Sequence, residues 1–173
     1  MENQGSNRSR CTSALRLTLK AWLVITVATI GLCYLTQLVA SWFGIKLNDQ
    51  ANIAIVMRYA GWNKTFILLC SQIVLLMPAF EELVFRYLLF HLPRKFIPRR
   101  AFLISAATIS SLLFSAAHYF VQPFPDNAFL ALFFFGLAQC WLYAKTRRLW
   151  CAILNHSLFN LTNLILLFLL IES

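Results

Sequence analysis

The chain has 173 residues, 60% of them hydrophobic and 12% charged, with a mean hydropathy of +0.70. A water-soluble domain carries about 25% charged residues, and a core of this size cannot bury so large an apolar surplus, which excludes a soluble globular domain and makes lipid the solvent. The net charge of +9 would suit nucleic acid, but the basic residues sit in short clusters between apolar runs, the distribution of a positive-inside membrane protein, so no nucleic-acid partner is expected.

In chain order, residues 1–20 read as a basic cytoplasmic tail carrying Arg8, Arg10, Arg16 and Lys20. The apolar stretch from Ala21 to Ile45 is longer than the ~7–15-residue core of a signal peptide and is read as a retained span. A crossing helix needs about 20 apolar residues, and four further stretches meet or approach that length, at about 65–91, 101–121, 128–144 and 150–171. The five cysteines form no CxxC and no ligand spacing; four lie in or beside apolar runs, where a free Cys behaves as a small hydrophobe.

Lys and Arg in the connections set the orientation. Arg94, Lys95, Arg99 and Arg100 follow the second span, and Lys145, Arg147 and Arg148 follow the fourth. The intervening connections carry Lys46, Arg58 and Lys64 in one and only Asp126 in the other. This alternation fits five spans with the N-terminus inside. The expected fold is an all-α polytopic membrane helix bundle forming one membrane-embedded domain over 1–173. Ala107, Ser111, Ser115 and His118 share one face of the third span, which predicts a central helix, because small residues let helices approach closely in lipid.

Ionisable residues inside a bilayer cost from about 2.5 kcal/mol upward and mark functional sites. Glu81, Glu82, Arg86 and His118 fall inside apolar runs, and His156 and Asn160 lie near the start of the last span. Glu82 and Arg86 stand at i and i+4 with the acid first, the better order for a helical ion pair. Glu81 is displaced about 100° around the helix, so the two carboxylates can hold different roles. Pro78 lacks an N–H and should free the carbonyl of Val74 and kink the helix. Phe114 and His118 share a face, so the Phe ring can wall the site. His156 and Asn160 put an imidazole and a carboxamide on one face, both able to donate to one developing oxyanion. Asn163 continues roughly that face. At ~1.5 Å per residue from the cytoplasmic end, His156 is shallow, Glu81 near mid-depth and His118 deep. Their convergence requires a tilted span, a third helix that starts outside the bilayer, or a dipping 145–149 loop.

The order EExxxR (Glu81, Glu82, Arg86), FxxxH (Phe114, His118) and HxxxN (His156, Asn160), each on its own apolar helix, resembles the CAAX protease and bacteriocin-processing family of glutamate-type intramembrane proteases. The resemblance spans about 78–163, the motif core. One departure is Tyr87, where the family usually has Gly for close helix packing. The resemblance implies that Glu81 deprotonates a water, that His118 helps hold it, and that His156 and Asn160 form an oxyanion hole. Glu82 and Arg86 would fix the helix and tune the base, since burial disfavours an ionised carboxylate and a nearby cation counteracts it. No cofactor is expected; the alternative is a zinc site of Glu81, His118 and His156.

The expected function is an intramembrane endopeptidase acting on a membrane-associated or lipid-tethered substrate, with the bilayer as its other partner and a bacterial cytoplasmic membrane as its place. Two other readings compete. One is a small proton- or cation-coupled transporter, disfavoured because five spans show no internal repeat. The other is a non-catalytic peptide-binding immunity or sorting protein.

Overall fold

The structure is a computed structural model that describes residues 2–48, 63–97, 100–118 and 128–172. Among the described residues there are five long helices: α1 (Glu2–Trp42), α2 (64–96), α3 (Arg100–Ala117), α4 (Phe129–Thr146) and α5 (Leu149–Glu172). The sequence expectation of an all-α membrane bundle is met. α1, α2, α4 and α5 are each long and apolar enough to cross a membrane, while the apolar part of α3, Phe102–Ala117, is shorter. Positions 119–121 of the expected third span, Asp126, Arg99, Arg58 and most of the 46–64 connection lie outside the described residues. The stretch expected as a tail is, from Glu2 onward, the first part of α1.

α2 is capped by Asn63, whose side chain accepts from the Phe66 N–H at 2.9 Å, satisfying one of the free donors of a helix start. It then changes its winding without a break. α-helical Lys64–Ser71, Met77–Glu82 and Leu92–Phe96 alternate with π-helical Gln72–Leu76 and Leu83–His91. The N–H of Met77 reaches back five residues to Gln72 and that of Leu92 to Tyr87.

Interhelical contacts fix the direction of every helix. Asn155 donates to the Thr18 carbonyl and Trp22 to the Thr162 hydroxyl, so α1 and α5 run parallel. His156 meets Glu82, Asn160 meets Ile73 and Phe168 packs edge-on against Phe66, so α5 and α2 run antiparallel. Ser115 donates to the Phe129 carbonyl while Phe114 stacks on Phe135, so α3 and α4 are antiparallel too. The start of α1, the α2–α3 connection and the α4–α5 turn thus share one end of the bundle. These are the basic segments, so the clustered Lys and Arg lie on one side of the bundle, the arrangement that the positive-inside rule describes.

The distribution of polarity is inverted relative to a soluble protein. Leu23, Val24 and Val27 on α1, Leu75, Leu76 and Phe80 on α2, and Ile165 and Leu169 on α5 are exposed. The buried set instead includes Thr18, Glu82, Arg86, Ser110, Ser111, Ser115, Gln139, Asn155 and His156. An apolar exterior of this extent is a lipid-facing surface, and the chain is an integral membrane protein.

The expected centrality of α3 follows from its serines. Ser110 is buried and donates to the Phe85 carbonyl at 2.6 Å. Ser111 lies against Gly136 of α4, where an added Cβ would meet the Ser111 Cβ at 2.9 Å and its Cα at 3.0 Å. Gly136 thus lets α4 approach α3 closely. On α2, Tyr87 stacks on His91 with ring centroids 5.7 Å apart. Because the obstructing atoms include backbone, Gly136→Ala must push α3 from α4, at a cost of about 1–3 kcal/mol. Thermal unfolding in lipid nanodiscs should show a clearly lowered midpoint, and an unchanged midpoint would contradict the close approach.

Candidate active site

The site is built around Glu82, whose side chain is 0% exposed. Its Oε2 faces Nε of Arg86 at 3.0 Å, one turn along α2 and equally buried. Two charges without solvent are costly unless paired and hydrogen-bonded; here Oε2 of Glu82 and the three guanidinium nitrogens of Arg86 have no hydrogen-bond partner among the described residues, and further contacts come from other helices. The guanidinium carbon of Arg86 lies 4.5 Å from the Phe114 ring centroid, a cation–π contact with α3. Oε1 of Glu82 receives Nδ1 of His156 at 2.9 Å from α5 and Nε2 of Gln139 at 3.4 Å from α4. A carboxylate paired with a guanidinium only accepts, so Nδ1 of His156 is the donor.

That bond turns the other nitrogen of His156 toward Glu81. Nε2 lies 3.6 Å from Oε2 of Glu81, too far for a hydrogen bond but close for an ion pair. The Glu81 side chain is 23% exposed. The two adjacent carboxylates therefore differ as the helix geometry predicts: Glu82 is enclosed and multiply held, while Glu81 is open and lightly held. The imidazole of His156 lies edge-on to Phe135 at 4.9 Å and to Phe114 at 5.8 Å, so two aromatic rings keep it dry.

Asn160 donates from Nδ2 to the Ile73 carbonyl at 2.9 Å. The turn before Pro78 is π-wound, with the Met77 N–H serving the Gln72 carbonyl five residues back, and Pro78, which has no N–H, follows directly. An amide nitrogen carries two hydrogens, so Asn160 retains one for another acceptor. Asn163 folds back onto the Phe159 carbonyl of its own helix.

His118 is not joined to this group. Its Nδ1 lies 2.9 Å from the Phe114 carbonyl, and its ring sits edge-on to the Phe114 ring at 4.9 Å. Phe114 touches both histidines and walls the site, as its spacing suggested. Among the described residues His118 has no hydrogen bond to Glu81 or His156, and no three His, Cys, Asp or Glu side chains cluster as a metal site.

The depth difference resolves for two of the three residues. Glu82 precedes the last residue of α2 by about 21 Å of helix and His156 follows the first of α5 by about 10 Å, at ~1.5 Å per residue. The α4–α5 turn thus sits deeper than the α2–α3 end. Arg147, with a left-handed φ of 53°, closes that turn through its N–H to the Tyr143 carbonyl at 2.7 Å.

Two site neighbours were not singled out from sequence. Gln139 is an amide within the apolar run of α4, and Asn155 directly precedes His156. A polar side chain inside a span was the available signal for both.

A family model described as type II CAAX prenyl endopeptidase Rce1-like matches residues 62–162. No curated protein and no solved structure matches the chain. The matched segment runs from the start of α2 into α5 and contains every ionisable residue of the site, and the chain belongs to the type II CAAX prenyl endopeptidase Rce1-like family of membrane-embedded proteases.

Proposed function

We propose that this protein hydrolyses a peptide bond in a membrane-associated or lipid-tethered substrate with a glutamate-activated water, in a bacterial cytoplasmic membrane. One observation carries the reading: Glu81 is a partly open carboxylate facing the His156 imidazole at 3.6 Å, beside a second carboxylate whose partners are already provided. A purely structural ion-pair network has no use for Glu81.

In the proposed cycle Glu81 takes a proton from water while the water oxygen bonds to the scissile carbonyl carbon. The carbonyl π electrons move to its oxygen, and that oxyanion accepts hydrogen bonds from Nε2 of His156 and the second N–H of Asn160. Collapse of the intermediate breaks the C–N bond, and the proton on Glu81 passes to the leaving amine. The products are a carboxylic acid and an amine, and Glu81 returns to its starting state. No metal is invoked in these steps.

Nδ1–H of His156 is held by Glu82, so Nε2 can donate to an oxyanion only when the ring carries both hydrogens. The two glutamates would then balance Arg86 and His156, a neutral set suited to a water-poor interior. With Nδ1 of His118 donating to a carbonyl, its Nε2 is an acceptor suited to a water hydrogen. For that role the end of α3 must approach Glu81 when substrate binds.

Glu81→Gln keeps the shape and removes the base. Terminus-enriched mass spectrometry of source cells with matched levels of wild type and Glu81→Gln should reveal peptides whose processing requires Glu81. Purified wild type should then cleave such a peptide, with the variant slower by at least about 10³-fold. Identical termini under expressing conditions would overturn the proposal and direct attention to ion flux. On the same peptide, Asn160→Ala should lower kcat by about 10²–10³-fold, the loss typical of one oxyanion donor, with little change in KM. A loss confined to KM would remove Asn160 from the oxyanion hole.

A further inference from the structure

Gln139 carries neither charge nor motif, yet it is fully buried at the centre of α4. A buried polar group without a partner costs about 1–3 kcal/mol or more; Oε1 of Gln139 has no hydrogen-bond partner among the described residues, so the place of this amide rests on Nε2. Both hydrogens of Nε2 are used. One points to Oε1 of Glu82 on α2 at 3.4 Å, and the other to the carbonyl of Ala152 on α5 at 3.1 Å. Both partners are acceptors, which fixes the amide's orientation.

The second contact has a particular meaning. Ala152 stands four residues before His156, so its carbonyl belongs to the helical turn that carries the imidazole. Gln139 thus grips both members of one pair, the carboxylate of Glu82 and the backbone turn presenting His156. The Nδ1–Oε1 bond between them, at 2.9 Å, closes the triangle. On the other side of that turn Asn155 donates to the Thr18 carbonyl of α1 at 3.3 Å.

We propose that Gln139 is a positioning residue for the reaction, holding Glu82 and the His156 turn in register so that Nε2 of His156 faces Glu81. This rests on the proposed roles of Glu81 and His156. Phe114 and Phe135 restrict the ring of His156 by packing, and aromatic contacts leave it free to slide within its plane. The hydrogen bonds to Glu82 remove that freedom only while Glu82 is itself held. Arg86 holds its other oxygen from the same helix, whereas Gln139 holds it from across the bundle.

The test uses the full-length protein in nanodiscs and a fluorogenic peptide bearing the site identified through Glu81-dependent processing. Gln139→Met keeps length and bulk and removes both donors. It should lower kcat by about 10–100-fold, the scale seen for outer partners that orient a functional imidazole, with KM and the melting midpoint close to wild type. Gln139→Asn keeps an amide but withdraws it by one methylene, and should give a smaller loss of the same kind. If Gln139→Met fails to fold, Gln139→Asn decides by the same measure. In the variant that folds, a kcat within twofold of wild type overturns the proposal, as does a fall fully matched by a rise in KM. Glu81→Gln is measured in parallel. An active Glu81→Gln condemns the underlying mechanism, whereas an inactive one beside a fully active Gln139→Met condemns the role of Gln139 alone.

Discussion

The carboxylate of Glu82 is the constraint on which the bundle depends. Lipid offers no water to solvate it, and helices in lipid gain no hydrophobic advantage from touching one another, because the tails are as apolar as leucine. Partners for Glu82 must come from the protein: Arg86 from α2, His156 from α5 and Gln139 from α4. Arg86 in turn lies over Phe114 of α3. Four helices are therefore placed by one buried charge, and α1 joins through Thr18 and Asn155 beside His156. The groups that specify the packing are the same groups that surround Glu81.

The winding of α2 adjusts the surroundings of that charge. A π turn before Pro78 and a longer π stretch after Glu82 flank the α-helical segment bearing both glutamates. The first hands the Ile73 carbonyl to Asn160, so the irregularity that frees a backbone acceptor is answered by a side chain proposed to act in the site. Non-helical backbone bonding at membrane depth survives only where other protein groups meet the freed atoms. Asn160 is such a group, and it keeps a second hydrogen for use elsewhere.

Sequence carried the parts of this architecture that are local or set by the solvent. The spans were legible because lipid demands long apolar runs, and their direction because Lys and Arg cluster in alternate connections. The Glu82–Arg86 pair and the Phe114 wall follow from i, i+4 spacing within one helix. What sequence left open depends on register between helices. Gln139 reaches two helices at once, which α4 alone cannot reveal. The π winding before Pro78, and with it the meeting of Asn160 with the Ile73 carbonyl, has no signature in local residue spacing. His118 was expected beside Glu81 because its motif suggests it, yet Nδ1 turns to its own helix and Phe114 lies between the histidines.

The inequality of the two adjacent glutamates follows from the same physics. A base must have a lone pair not already committed to strong donors, which in lipid means tolerating an under-coordinated carboxylate. Neighbouring positions on a helix lie about 100° apart, so one residue can face the interior while the next faces an opening. Glu82 takes the interior and gathers Arg86, His156 and Gln139, while Glu81 meets, among the described residues, only the far nitrogen of His156 at 3.6 Å. The imidazole between them links the two environments. Its Nδ1 is anchored on the buried Glu82, and its Nε2 is turned toward the partly open Glu81. Exchanging the two glutamates in space would bury the open carboxylate and expose the anchor, so their order along the chain is part of the chemistry.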